Sequence, residues 1–204
     1  MLLCVLCWPA LAGAEDAASE LALRVDARQR RVTDLTARFV QSYRSGALGR
    51  ELVERGNLAI KRPGRMLWEY RDPERKTFLS DGKTFFFYVP ADKQVIVRDQ
   101  AGERGLPMLL LAGQGDIVSQ FEVGLEDSPL PGARRLRLVP RKPDPELERV
   151  YLDVDDQARI VGIEVVDAQG NRSRFRFEQL RENVGLPAKL FHFEIPKGVE
   201  VVAG

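Results

Sequence analysis

Cysteine is almost absent from this chain. Among its 204 residues only Cys4 and Cys7 carry a thiol, and both lie in the opening apolar segment. Neither follows the small residue that a lipidated cysteine requires: Cys4 follows Leu3, and Cys7 follows Leu6. Without that segment there is no cysteine nucleophile and no disulfide framework. Histidine is as scarce. His192 stands alone, which removes the serine–histidine triads and most histidine metal sites. It reads as a solvated or structurally bonded residue of an alternating strand, KLFHFEI. An excess of one charge is also missing. Lys+Arg 31 against Asp+Glu 30 gives no pull toward nucleic acid or anionic headgroups. Phosphate loops and dinucleotide fingerprints are lacking. DVDDQARIVGIE (153–164) has acids at several calcium-loop positions, but Ala158 occupies the place of the required glycine and β patterns flank it. It reads as an acidic hairpin turn. No catalytic residue, no metal and no cofactor is expected.

What is present is a globular composition, 44% hydrophobic and 30% charged, in a length that fits one domain with a real core. Residues 1–14 read as a signal peptide. A short apolar run, Leu2 to Leu11, precedes the small-residue step Ala12-Gly13-Ala14. The run is too short to span a bilayer, and no Lys or Arg precedes it. The mature part, 15–204, reads as a single domain. An exported chain without disulfides suits the bacterial periplasm.

A helix is expected from Asp16 to about Arg31, carried by Leu21, Val25 and Val32 at near-helical spacing. Gln29 interrupts that stripe, so the helix is expected to rest on a surface rather than be sealed in a core. From Thr33 onward the period is two. LTARFVQSYR, NLAIK, RMLWEY, KTFLSDGKTFFFYVP, KQVIVRD, RRLRLVPR, ERVYLDVD, RIVGIEVVDA, RSRFRFEQL and KLFHFEI all read as strands, with Asp81-Gly82 as a hairpin turn. Roughly ten short strands with tight turns argue an antiparallel meander. Residues 102–121 interrupt it. Met108, Leu109, Leu110 and Leu111 form a compact apolar run between Pro107 and Gly113, and Asp116 can cap a second short helix reaching Phe121.

The expected fold is therefore mainly β with short α: a curled antiparallel sheet with short helices too few to complete a second layer. IKRPGRMLWEYRDP (60–73) shows its character. Met66, Trp68 and Tyr70 share one face, and Arg62 sits at its rim. Met66, Trp68, Phe85, Phe87, Met108 and Leu109 either pack together as core or line an open pocket of the kind found at barrel mouths.

FVQ (39–41), KRPGRMLWEY (61–70), SDGKTFFFYVP (80–90), LPMLLLAG (106–113) and FHFEIPKGVEV (191–201) stand in the order and spacing of the periplasmic outer-membrane lipoprotein carrier proteins of the LolA type, which the chain resembles over nearly all of its mature length. The resemblance implies an unclosed β-barrel with a helical lid and a hydrophobic cavity. It implies a periplasmic chaperone that takes acylated lipoproteins from an inner-membrane ABC-type release complex and delivers them to an outer-membrane acceptor, a receptor or the membrane itself. The implied acyl-chain cavity comprises Phe39, Leu58, Ile60, Met66, Trp68, Phe85, Phe87, Met108, Leu109 and Leu111. Arg62 would be the lid latch, bonding carbonyls of the lid helices in the empty form. A monomer without cofactor or nucleic-acid partner is expected. The rival readings are a periplasmic sensor or glycolipid-binding module on the same fold, and a lipid-acting hydrolase. The latter lacks an activated nucleophile.

Overall fold

The computed structural model describes residues 10–47, 49–99 and 116–203, with side chains from Glu15 onward. The chain begins with α1 (Ala10–Gln29) and continues into a meander of β1 (Asp34–Arg44), β2 (Glu51–Lys61), β3 (Arg65–Asp72), β4 (Lys76–Asp81), β5 (Thr84–Val89) and β6 (Gln94–Asp99). The short α2 (Ile117–Gln120) introduces a second meander: β7 (Phe121–Asp127), β8 (Arg134–Pro140), β9 (Arg149–Val154), β10 (Ile160–Val166) and β11 (Arg172–Glu182). A 3₁₀ turn (Ala188–Phe191) and β12 (Glu200–Ala203) come last. Turn chemistry explains the hairpins. Gly82 adopts φ 102° while Asp81 Oδ1 accepts from the amides of Lys83 and Thr84, both at 2.8 Å.

The twelve strands among the described residues join one sheet in the order β12-β6-β5-β4-β3-β2-β1-β11-β10-β9-β8-β7. The two meanders meet where β1 pairs with β11. Pairing is antiparallel except between β12 and β6. β12 and β7 end the order without pairing to each other, so the sheet is not closed. Register shifts in β1, β2 and β10 are the bulges that sharpen twist in so wide a sheet. The expected unclosed, mainly β architecture is thus what the chain adopts. β7 and β12, which alternation did not single out, complete it.

α1 covers one face of the sheet, the inner face. Ala18, Leu21, Ala22 and Val25, spaced i, i+3, i+4, i+7, are at most 1% exposed. They share one core with Ile60, Leu136, Leu152, Ile117 and Phe121. This corrects the expectation of a loosely resting helix. A stripe judged by Leu and Val undercounts alanines, which let the helix backbone approach closely. The helix also ends earlier, at Gln29, and begins at Ala10.

The outer face is finished in two ways. KLFHFEI is not a strand: after the 3₁₀ turn the chain runs irregularly over the outer face. There Leu186, Phe191 and Phe193 pack on Ala59, Leu67, Leu79 and Phe86. His192 is exposed. Over β8–β11 the outer face instead buries charge. Arg135 donates to Asp153 (2.8 Å) and Glu164 (3.0 Å), and Arg172 and Arg174 donate to Glu164 at 3.0 and 2.9 Å. Glu164 is fully buried. Burial alone would raise its carboxyl pKa, but the bonds and charges of Arg174 and Arg135 outweigh burial and hold it below the usual range.

Glu164→Gln should destabilise the fold by about 1.5–3 kcal/mol at neutral pH, because Arg174, Arg135 and Arg172 lose a charged acceptor while Arg135 keeps its pair with Asp153. The lowered folded-state pKa contributes stability above the unfolded value of roughly 4.3, and that contribution is lost as pH falls through the folded value. Urea midpoints at neutral and acid pH check this. The gap between wild type and variant should narrow in acid; a gap that is absent, or that widens in acid, contradicts it.

Candidate functional site

Alternation in neighbouring strands brings the large inner-face residues into rows. Ile60 pairs with Met66 and Leu58 with Trp68; Trp68 faces Phe78, which in turn faces Phe87. Phe39 on β1 touches the Trp68 and Tyr70 rings edge-on, at 5.1 and 4.8 Å between centroids. Phe78 stacks on Phe87 at 4.3 Å and lies 6.1 Å from Phe85. From β11, Phe175 and Phe177 reach Trp68 at 5.3 and 6.3 Å. Edge-to-face and offset pairs add about 0.5–1.5 kcal/mol each beyond the area they bury. Phe39 fits because of Gly56: a Cβ there would lie 2.1 Å from the Glu69 carbonyl oxygen and 2.6 Å from Phe39 Cζ.

Of the residues named from sequence, Phe39, Leu58, Ile60, Met66 and Trp68 are buried in this wall, and Phe85 and Phe87 are half-buried beside it. Met108, Leu109, Leu110 and Leu111, the apolar run expected to form the lid, lie outside the described residues. Four wall residues were not singled out as a site: Tyr70, Phe78, Phe175 and Phe177. Tyr70 has the parity of Trp68, and RSRFRFEQL puts Phe175 and Phe177 on one face. What the alternation does not show is that β11 lies against β1.

Toward the end of the strands farthest from the α1 C-terminus the wall turns polar. The Tyr70 hydroxyl donates to Gln41 Oε1 at 2.6 Å, and Gln41 Nε2 donates to Ser173 Oγ at 2.9 Å. Lys76 Nζ pairs with Glu54 at 2.6 Å and lies 4.4 Å above the Tyr70 ring. Burial, and then the Glu54 charge, push the Tyr70 phenol well above its ordinary pKa, so it stays a donor.

The other end belongs to Arg62. Its guanidinium donates to the Val32 carbonyl at 2.9 Å and to Gln29 Oε1 at 2.5 Å. Both acceptors lie at the C-terminal exit of α1, where helix carbonyls lack intrahelical donors. Gln29, which interrupts the apolar stripe in sequence, is therefore a partner of Arg62. Burial draws the Arg62 pKa down while Glu182 opposes the shift; the group stays charged. Arg28 supports the same end through Glu182 (2.5 Å) and the Gln157 carbonyl (3.0 Å).

The expected second short helix is present, capped by Asp116 accepting from the Ser119 amide at 3.2 Å. Asp26 of α1 accepts from the Ile117 amide at 2.9 Å. Burial, and Asp116 nearby, raise its pKa, while the Ile117 bond and Arg30 oppose the shift. The carboxylate thus ties α1 to the first residue of α2. A separate cavity of about 590 Å³ lies at the start of β7, lined by Ser119, Phe121, Pro140, Arg141 and Lys142 among others. No cluster of His, Cys, Asp and Glu suited to a metal occurs among the described residues. No described helix is long and apolar enough to cross a membrane.

An open sheet with an aromatic inner wall and a helix on its inner side is an unclosed barrel. The family profile for the outer membrane lipoprotein carrier protein LolA matches residues 30–194. The outer-membrane lipoprotein carrier protein of Bordetella avium is 36% identical over 202 residues, 95% of this chain and 90% of that relative. That of Hahella chejuensis is 34% identical over 175 residues, 84% of this chain and 82% of that relative. The chain belongs to the outer-membrane lipoprotein carrier (LolA) family. Solved structures share its architecture at low identity. An uncharacterized conserved protein from Thermus thermophilus aligns at TM-score 0.57 and 16% identity, covering 92% of this chain and 99% of that one. A chain of the Pseudomonas aeruginosa MucA/MucB complex aligns at TM-score 0.50 and 17% identity, covering 87% and 61%.

The contact between Arg62 and α1 generates a direct test. Gln29→Ala removes one acceptor of a charged donor and should lower stability by about 1.5–3 kcal/mol, with faster amide exchange in the last turn of α1. Arg62→Leu should speed exchange there further. Unchanged exchange in both variants would show that the fork does not hold the helix end.

Proposed function

We propose that this protein is a periplasmic carrier whose inner wall takes up the acyl chains of lipoproteins leaving the inner membrane. It receives them from an ABC-type release complex and yields them to an outer-membrane acceptor, acting by binding alone. The observation that carries this reading is the aromatic wall of Phe39, Trp68, Tyr70, Phe78, Phe87 and Phe175 on the inner face of the open sheet, in a chain of this family.

Hiding an acyl chain from water gains about 0.8 kcal/mol per methylene. A sixteen-carbon chain then gains on the order of 12 kcal/mol, which no free passage through water can match. A carrier with that affinity must also let go. Arg62 supplies the counterweight. Its bonds to Gln29 and Val32 favour the empty, covered state, and charged hydrogen bonds are worth about 1.5–3 kcal/mol each. They subtract from net affinity without altering the wall. In this reading Met108, Leu109 and Leu111 extend the cavity from the lid, Leu58, Ile60, Met66, Phe85 and Phe87 complete its floor, and methionine adapts to mixed chain shapes. The alternative, a sensor or glycolipid-binding module, shares the architecture; family membership favours the carrier.

Two outcomes are predicted. Arg62→Leu should load cargo from the release complex but pass it to acceptor membranes several-fold more slowly, with Arg62→Lys intermediate because an ammonium lacks the planar fork. Loading and transfer are measured separately, and equal transfer by wild type and Arg62→Leu would remove the latch role. The second outcome concerns export. Protein recovered from the periplasm should begin at Glu15, cut after Ala12-Gly13-Ala14, as read by N-terminal sequencing. An uncut, membrane-bound chain would point instead to an anchored protein.

A further inference from the structure

The polar group of residues on the inner face has no place in an apolar cavity, and stability does not account for it. Glu54 is only 6% exposed and is paired with Lys76 at 2.6 Å. Replacing such a buried ion pair by apolar residues is often neutral or stabilising. Strand parity nevertheless puts both on the lipid-facing side. Glu54 has the parity of Leu58 and Ile60 on β2, and Lys76 faces Tyr70 across β3 and β4. The group sits at a boundary. On one side is the aromatic wall. On the other, at the far end of the β1–β2 hairpin, the paired Tyr43 and Leu52 are 39% and 49% exposed. One strand step into the wall, the buried Trp68 indole Nε1 has no hydrogen-bond partner among the described residues, an unmet donor in an apolar setting.

We propose that Glu54, Lys76 and Trp68 form a subsite for the uncharged ester and amide linkages that join acyl chains to a peptide terminus. This rests on the carrier function and extends it to the polar junction of the cargo. The chemistry of the three groups selects the ligand. Lys76 and the Trp68 indole donate, as carbonyl oxygens require. Glu54 accepts, as an amide N–H requires. The pair has no net charge, so a neutral linkage leaves it balanced. A phosphodiester would bring an unpaired anion against buried Glu54. The wall would accept the chains of either an acylated peptide or a phospholipid; the junction would prefer the acylated peptide.

The test is displacement of an apolar fluorescent probe by a synthetic N-acylated diacylglyceryl lipopeptide, whose acyl junction carries no charge, and, separately, by phosphatidylglycerol. Wild type should bind the lipopeptide more tightly than the phospholipid. In Glu54→Gln/Lys76→Met, which keeps shape and leaves no lone charge, lipopeptide affinity relative to the probe should fall at least about tenfold, the order of one charged hydrogen bond. Trp68→Phe, which keeps a ring and removes the N–H, should lower the same ratio. An unchanged ratio in both variants, or a wild type that binds the phospholipid as tightly as the lipopeptide, overturns the subsite while leaving the carrier function intact. A wild type that binds neither the probe nor the lipopeptide overturns both.

Discussion

A twelve-stranded sheet whose edge strands β7 and β12 stay apart leaves an apolar inner face that must be covered by something other than more sheet. The rest of the molecule answers to that constraint. α1 covers the face with a strip of Ala18, Leu21, Ala22 and Val25, narrow enough to lie close and too narrow to cover every wall residue. Phe85 and Phe87 remain half-buried. A closed barrel would have removed both edges and with them the option of opening. The open sheet keeps that option, with Arg62 placed where the covering helix meets the strands.

The outer face carries the rigidity that the inner one cannot. Arg135, Asp153, Glu164, Arg172 and Arg174 knit β8 to β11. The C-terminal segment pins β2 to β5 through Phe191 and Phe193 and ends as the edge strand beside β6. Both halves of the outer face are thus tied, and among the described residues α1 and the short α2 are the helices on the inner side. Asp26 links the two helices through the Ile117 amide.

Much of this was legible in the chain itself. Period-two alternation placed Met66, Trp68 and Tyr70 on one face, and Asp81-Gly82 and Asp116 announced a turn and a cap by local chemistry. What escaped was non-local. Gln29 reads as a flaw in a helical stripe until the fold brings Arg62 to it. FHF alternates like a strand, yet its phenylalanines pack on the outer face from an irregular segment, because a 3₁₀ turn and Pro196 break the extension. Glu54 and Lys76 look like ordinary surface charges in sequence; only the register across three strands puts them beside Tyr70. Alanines were undercounted for a different reason. Their contribution is close approach rather than area, and hydrophobic patterning weighs area.

The central claim is that the inner wall holds acyl chains attached to protein. The most direct measurement is native mass spectrometry of the protein purified from the periplasm in the Arg62→Leu form, which should release cargo slowly. The account predicts complexes near one cargo per carrier whose added mass resolves, on fragmentation, into an acylated N-terminal peptide. A carrier that emerges empty, or that holds only phospholipid or glycolipid, would contradict it.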